Sequence, residues 1–318
     1  MSCTRRSALA TTAGCLQMGS QERSPGSGGY VRFIILSAAR TGSNLLASSL
    51  NSSPEIVCFR EIFKVREKHV VDYNVAGYDR FNGEDLALRS DDFKAFLRER
   101  IFCSHPVDVH AVGFKMPYNH FWGYEGLLPW LADDEELRVV HLQRRNILRM
   151  LLSLRVAEQT GVYLRPAPPS LRRRVISTLK SRARRALRRP PAEVDGRRED
   201  AGIPMSEPAT ASTAKAREPV SISPEELVEF IVKTELAVDH FEGKFSGHPM
   251  RTVYYEDMLE SRKKTLTSVQ SFLDVKPERL AERTQRQNPE PLAKLIENFD
   301  ELRAAFRPSE HAWMFEEA

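Results

Sequence analysis

No Gly-x-x-x-x-Gly-Lys-[Ser/Thr] string occurs anywhere in the 318 residues. That excludes the loop that holds a nucleoside triphosphate with a lysine on its β/γ-phosphates and a hydroxyl on Mg²⁺. Gly26, Gly28 and Gly29 precede the first strand-like run instead of following it, so they make no dinucleotide fingerprint. The four cysteines, Cys3, Cys15, Cys58 and Cys103, show neither metal-ligand spacing nor a compact disulfide pattern. We expect a reducing, cytoplasmic compartment and no bound metal. No apolar run approaches the roughly 20 residues of a membrane span. Acidic residues are missing from one place in particular: Leu171 to Arg189 holds nine Lys or Arg and no Asp or Glu, while the whole chain carries only +4. The basic character therefore belongs to a segment, and the remainder is net negative.

What is present begins at Val31-Arg-Phe-Ile-Ile-Leu-Ser-Ala-Ala-Arg-Thr-Gly-Ser-Asn44. Phe33 to Leu36 is a short continuous apolar run, as in a strand buried on both faces of a parallel sheet. It breaks into small residues, where Gly42 permits a conformation that lets amide N–H groups converge on an anion at a helix start. Arg40 adds a planar charged fork, and Thr41, Ser43 and Asn44 add neutral donors. The segment reads as a strand, an anion-binding loop and a helix, built for an anionic donor without Mg²⁺ apparatus.

Further strands are expected at Glu55 to Phe59, Val109 to Met116, Arg138 to Leu142 and Met250 to Tyr255. Helices are expected over Asp91 to Phe102, Asn146 to Thr160, from Ser223-Pro224 onward, over Asp257 to Leu273 and over Leu292 to Phe306. Strands alternating with helices predict an α/β protein, a three-layer α/β/α sandwich around a central parallel sheet. With 41% hydrophobic residues, the chain can bury one substantial core. Residues 1–29 read as a disordered leader, with a weak targeting peptide as the alternative, and 30–318 as one domain. Residues 164–223 interrupt it as a basic, mobile insertion poor in large apolar residues. Its arginines read as a solvated basic linker, with an acidic glycan or an anionic membrane surface as the functional alternatives, and the absence of interleaved aromatics argues against nucleic acid.

Taken in order, these segments resemble the sulfotransferases that use 3′-phosphoadenylyl sulfate, especially their bacterial branch, over roughly Val31 to Phe306. The resemblance implies a P-loop NTPase-like sulfotransferase fold with 3′-phosphoadenylyl sulfate as co-substrate. Ser37, Arg40, Thr41, Gly42, Ser43 and Asn44 would cradle the donor's 5′-phosphosulfate. Arg145 and Ser153 have the spacing of the family's 3′-phosphate signature, with Arg144 as a rival for the arginine. Val57-Cys-Phe-Arg-Glu-Ile-Phe63 resembles the short strand that ends in a glutamate base, which assigns Glu61 that role, with His120 as the substitute. Gly113-Phe-Lys115, Val253-Tyr-Tyr-Glu-Asp-Met258 and Gln287-Asn-Pro289 also look familial. The loop carries Arg40 where many cytosolic relatives place Lys, and their C-terminal Arg-Lys-Gly loop is absent. The implied reaction moves a sulfuryl group to a hydroxyl or amine, with Arg40 and Glu61 catalytic and a carbohydrate, lipid-linked glycan or small molecule as acceptor. The rival readings are a small-molecule kinase and a catalytically degenerate binding module of the same fold.

Overall fold

The computed structural model describes residues 22–23, 29–64, 81–163, 218–281 and 287–316. Most of the expected leader and insertion lies outside these residues. Five parallel strands form the central sheet in the order β2-β3-β1-β4-β5: β1 Val31–Ser37, β2 Ile56–Phe59, β3 Ala111–Pro117, β4 Arg138–Gln143 and β5 Met250–Tyr254. A separate two-stranded antiparallel pair joins Glu22–Arg23 to His105–Pro106. The helices used below are α1 Ser43–Leu50, α2 Gly83–Asp91, α3 Ile147–Thr160, α4 Pro224–Lys244, α5 Tyr255–Glu260, α6 Arg262–Phe272 and α7 Phe299–Phe306.

β1 is central, and its two faces feed two cores because successive side chains point to opposite sides. Phe33 and Ile35 pack with Leu46, Ala47 and Leu50 of α1 and Leu266 and Val269 of α6. Ile34 and Leu36 pack on the other side with Phe241 of α4 and Phe245 just beyond its end. A third cluster holds α3 against Leu227 and Ile231 of α4 and against Leu302 and Phe306 of α7. Gly113 of β3 is required by the sheet itself, since a Cβ there would lie 2.2 Å from the Phe33 carbonyl oxygen.

Sequence signals set the helix ends. Asn146 caps α3 through the Arg149 amide, and Gly161 closes it in the left-handed region. Ser223 caps α4, and Pro224 occupies its first turn. Several expectations change. α2 falls in a stretch that has no clear apolar period, and it is fixed instead by a reciprocal capping box between Asn82 and Asp85. The helix expected over Asp91 to Phe102 is a short α-turn, Phe93–Phe96, continued as a π-helix, Leu97–Ile101. The helix expected from Asp257 is two, broken at Ser261, and the C-terminal one is also two, Leu292–Leu295 and α7. The last residues of the expected insertion, 218–223, belong to the domain: Val220 bridges Ile296 in parallel and Ile222 is fully buried. No described helix is long and apolar enough to cross a membrane.

Candidate active site

The loop after β1 lies at the carboxyl edge of the sheet, in register with the ends of both neighbours: Ser37 stands opposite Pro117 on β3 and Leu142 on β4. Gly42 sits at φ 89° and starts α1, with the Leu45 amide donating to its carbonyl at 2.8 Å. No other residue fits there, because a Cβ would come within 2.4 Å of the Tyr255 ring. Arg40 also occupies the left-handed region, at φ 65°. Such a conformation costs of order 1 kcal/mol or more in a non-glycine residue and persists only where the surroundings hold it.

Those surroundings are the partners of the guanidinium. Arg40 donates to Ser153 Oγ from Nε at 3.0 Å and from Nη2 at 2.9 Å, and to the Tyr163 carbonyl from Nη1 at 3.0 Å. It also donates to Gln287 Oε1. Burial lowers its pKa from the usual arginine value, against the opposing pull of Glu61. The side chain is thus a desolvated cation tied to neutral acceptors, and an anion would be a stronger partner for it. Ser37 adds a second unmet demand. Its hydroxyl is fully buried and has no hydrogen-bond partner among the described residues. Thr41 donates inward to the Ala38 carbonyl at 3.0 Å, which rigidifies the turn.

Asn44 and Glu61 are joined through a residue to which the sequence reading gives no role. Lys115 of β3 is buried, and its Nζ donates to Asn44 Oδ1 and to Glu61 Oε1, both at 2.7 Å. Burial lowers the Lys115 pKa, while Glu61 pulls it back up. Burial likewise raises that of Glu61, but the charge and hydrogen bond of Lys115, with a smaller contribution from His120, hold the carboxyl below its ordinary value. A lysine in the middle of an otherwise apolar strand was the available signal, because lysine is almost never fully buried without a partner.

The expected pairing of Arg145 with Ser153 is not formed. Ser153 accepts from Arg40, and Arg145 turns to β5 and α5. Its guanidinium is bidentate to Asp257 at 2.6 and 3.2 Å and lies over the Tyr254 ring at 3.9 Å. Arg145 precedes the extended cap residue Asn146, so helical periodicity does not set its direction. Arg144 is the more buried of the two arginines; it donates to the Arg40 carbonyl at 3.2 Å and stacks on Tyr255 at 4.5 Å. Glu256 accepts from the Arg145 and Asn146 amides at 3.1 and 3.2 Å, binding α5 to the start of α3. Ala38, Thr41, Tyr118, Gln143, Arg144 and Arg145 line a cleft of about 200 Å³, whose far wall is Thr234, Glu235, Val238 and Asp239 of α4. Among the described residues no group of three or more His, Cys, Asp or Glu is arranged to hold a metal ion.

Fold and site together define an α/β protein in which the loop after β1, at the carboxyl edge of a parallel sheet, gathers an arginine and a buried lysine. No family model matches the chain. It is 26% identical over 286 residues to Nodulation protein H of Rhizobium tropici, an alignment spanning 89% of this chain and 92% of that protein. Similar solved structures include a sulfotransferase from Alicyclobacillus acidocaldarius, with a TM-score of 0.44 and 15% identity over 90% of this chain and 94% of that one. The sulfotransferase domain of the Synechococcus PCC 7002 olefin synthase matches with a TM-score of 0.35 and 14% identity over 81% and 78%.

Proposed function

We propose that the chain is a sulfotransferase, moving a sulfuryl group from 3′-phosphoadenylyl sulfate to a hydroxyl or amine acceptor, with a carbohydrate or lipid-linked glycan as the candidate acceptor. The observation that carries this reading is the loop itself. A desolvated Arg40 and a fully buried Ser37 hydroxyl with no hydrogen-bond partner among the described residues belong to a turn that only glycine can complete. These groups suit a phosphosulfate: a fixed cation, a waiting hydroxyl and amides at a helix start.

In the transfer the acceptor oxygen or nitrogen forms a bond to sulfur as the sulfur–oxygen bond to the 5′-phosphate breaks. Negative charge then develops on the leaving phosphate. Arg40 and the amides at the start of α1 stabilise that charge, with Lys115 behind them, and Ser43 and Asn44 complete the cradle. Preorganised donors of this kind are commonly worth a few kcal/mol each. Glu61 takes the proton the acceptor gives up, a contribution of about 10² to 10⁴ in rate. Arg144, Arg145 and Ser153 stand on the β4 side of the loop for the 3′-phosphate. Ser153 is now held by Arg40 and Arg145 by Asp257, and binding requires both pairings to be exchanged for the ligand.

Calorimetric titration with adenosine 3′,5′-bisphosphate tests the reading, with ATP and Mg²⁺ as the comparison. Saturable binding of the bisphosphate that weakens at least tenfold in Arg145→Ala or Arg144→Ala is expected. Tighter binding of ATP with Mg²⁺ would instead make the protein a kinase.

A further inference from the structure

Behind the cleft runs a polar network that donor binding does not use. Tyr118 follows the last residue of β3, and its hydroxyl lies 2.5 Å from His141 Nε2 on β4. His141 is fully buried, and its Nδ1 lies 3.2 Å from Glu242 Oε1 on α4. Gln143 Nε2 donates to the same carboxylate at 2.8 Å. The Tyr118 ring is clamped by stacking on Phe241, with centroids 4.5 Å apart at 16°. Leu36 pairs in register with His141, so the network sits under the loop on the sheet face opposite Lys115.

The directions of these hydrogen bonds follow from the partners, and the histidine tautomer is assigned from them. Gln143 Nε2 also lies 3.2 Å from His141 Nδ1, but it is nearer Glu242, at 2.8 Å, and donates there. Glu242 can only accept, so His141 presents Nδ1–H to the carboxylate 3.2 Å away and keeps Nε2 as an acceptor. Burial lowers the His141 pKa against the pull of Glu242, which keeps the ring neutral. Burial and Glu242 both raise the Tyr118 pKa, so the phenol keeps its proton and gives it to Nε2. The lone pairs of Tyr118 Oη are then what the phenol can offer a further partner. Gln143, with its amide nitrogen committed to Glu242, likewise offers its carbonyl oxygen. Both residues line the cleft, and the facing turns of α4 add Glu235 and Asp239, one turn apart on one helix face. Arg144 and Arg145 stand elsewhere in the same cleft. It is thus divided into a cationic side and a side that only accepts.

We infer that Tyr118, locked as an acceptor by His141 and Glu242, is a specificity-determining residue that, with Gln143, Glu235 and Asp239, selects and orients a neutral hydroxyl-bearing sulfate acceptor. This rests on the sulfuryl-transfer reading above. Tyr118 and Gln143 accept from the acceptor's hydroxyls, and Glu235 and Asp239 repel anionic molecules that the arginines alone would attract. His141 and Glu242 are positioning residues that act through Tyr118. A correctly placed neutral hydrogen bond contributes about 1 kcal/mol, so losing one should shift an apparent affinity several-fold to tenfold.

The test uses the full-length protein, radiolabelled 3′-phosphoadenylyl sulfate, and glycerol, maltotetraose and an alkyl glucoside as neutral probes, with a glucuronate oligosaccharide as the anionic one. Wild type should transfer to at least one neutral probe in preference to the glucuronate. Tyr118→Phe, which keeps the stacked ring, should raise KM for that probe about tenfold while kcat falls less and bisphosphate affinity stays within twofold. Glu242→Gln should produce a smaller KM rise of the same kind. Preference for the glucuronate probe, or an unchanged KM in Tyr118→Phe, overturns the inference and leaves sulfuryl transfer intact. Absence of bisphosphate binding in wild type overturns both.

Discussion

Two polar clusters flank the loop after β1, one on each face of the sheet, and they solve opposite problems. On the α1 face Lys115 is a buried cation whose charge is met by Glu61 and Asn44. On the α4 face Tyr118 and His141 are kept neutral, and the one carboxylate in the set, Glu242, is half exposed. A charge brought into a low-dielectric interior must be paired there, whereas neutral groups need only directional hydrogen bonds. The α1 face is therefore suited to opposing charge that develops during a reaction, and the α4 face to recognising a molecule that carries none.

Breaking the charged cluster should have the largest effect. Lys115→Met leaves Glu61 without its cation, and we expect a loss of about 2 to 4 kcal/mol, near the cost of breaking a buried pair, read as a lower midpoint in urea unfolding. A midpoint unchanged within error would show that the pair carries no stability. Next comes Glu61→Gln, which also leaves Lys115 without its counter-charge and so should lower the unfolding midpoint; turnover should fall by about 10² or more at a temperature where the variant is still folded. Turnover within a few-fold of wild type would remove Glu61 from the proton step.

The neutral cluster predicts a pH signature instead of a large loss. His141 and His105 both have pKa values below the 6.5 of a free imidazole, for which burial is the leading cause. Below that value the unfolded chain takes up protons that the folded rings refuse. Stability should be fully present above about pH 6.5 and decline as pH falls toward the depressed folded values. His141→Gln should flatten part of this decline in thermal melts between about pH 7 and 5, and an unchanged slope would contradict the neutral assignment. The smallest effect is expected from Asp257→Ala. The Arg145–Asp257 pair is exposed on both sides, so stability should move by less than about 1 kcal/mol. Freed of its partner, Arg145 should bind adenosine 3′,5′-bisphosphate at least as well as before, and weaker binding would show that the pair serves the site.

The parts of this arrangement legible in the sequence are those written locally. The apolar run into Gly42 announces a buried strand, a turn with positive φ and a helix, all within fourteen residues from Val31 to Asn44. Asn146, Gly161 and Ser223-Pro224 mark helix ends because capping is a matter of adjacent residues. The π-helix at Leu97–Ile101 leaves no such mark, since the apolar period continues across it, and the break at Ser261 falls in a polar stretch with neither Gly nor Pro to announce it. Side-chain direction at the site is also nonlocal. Arg145 and Ser153 have a suggestive spacing, yet Asp257 captures the first and Arg40 the second from distant parts of the chain. The link between Tyr118, His141 and Glu242 depends on β3, β4 and α4 meeting, which no window of sequence contains. Lys115 was the exception that composition could have flagged.

Arg40 and its turn are proposed to grip the leaving phosphate, and transfer of label from 3′-phosphoadenylyl [³⁵S]sulfate measures that most directly. Wild type should transfer sulfur, and Arg40→Ala should do so about 10² to 10³ times more slowly, the cost of removing one such preorganised donor, with the protein still folded at the assay temperature. Equal rates for the two proteins, or label that moves from [γ-³²P]ATP and never from the sulfate donor, would contradict it.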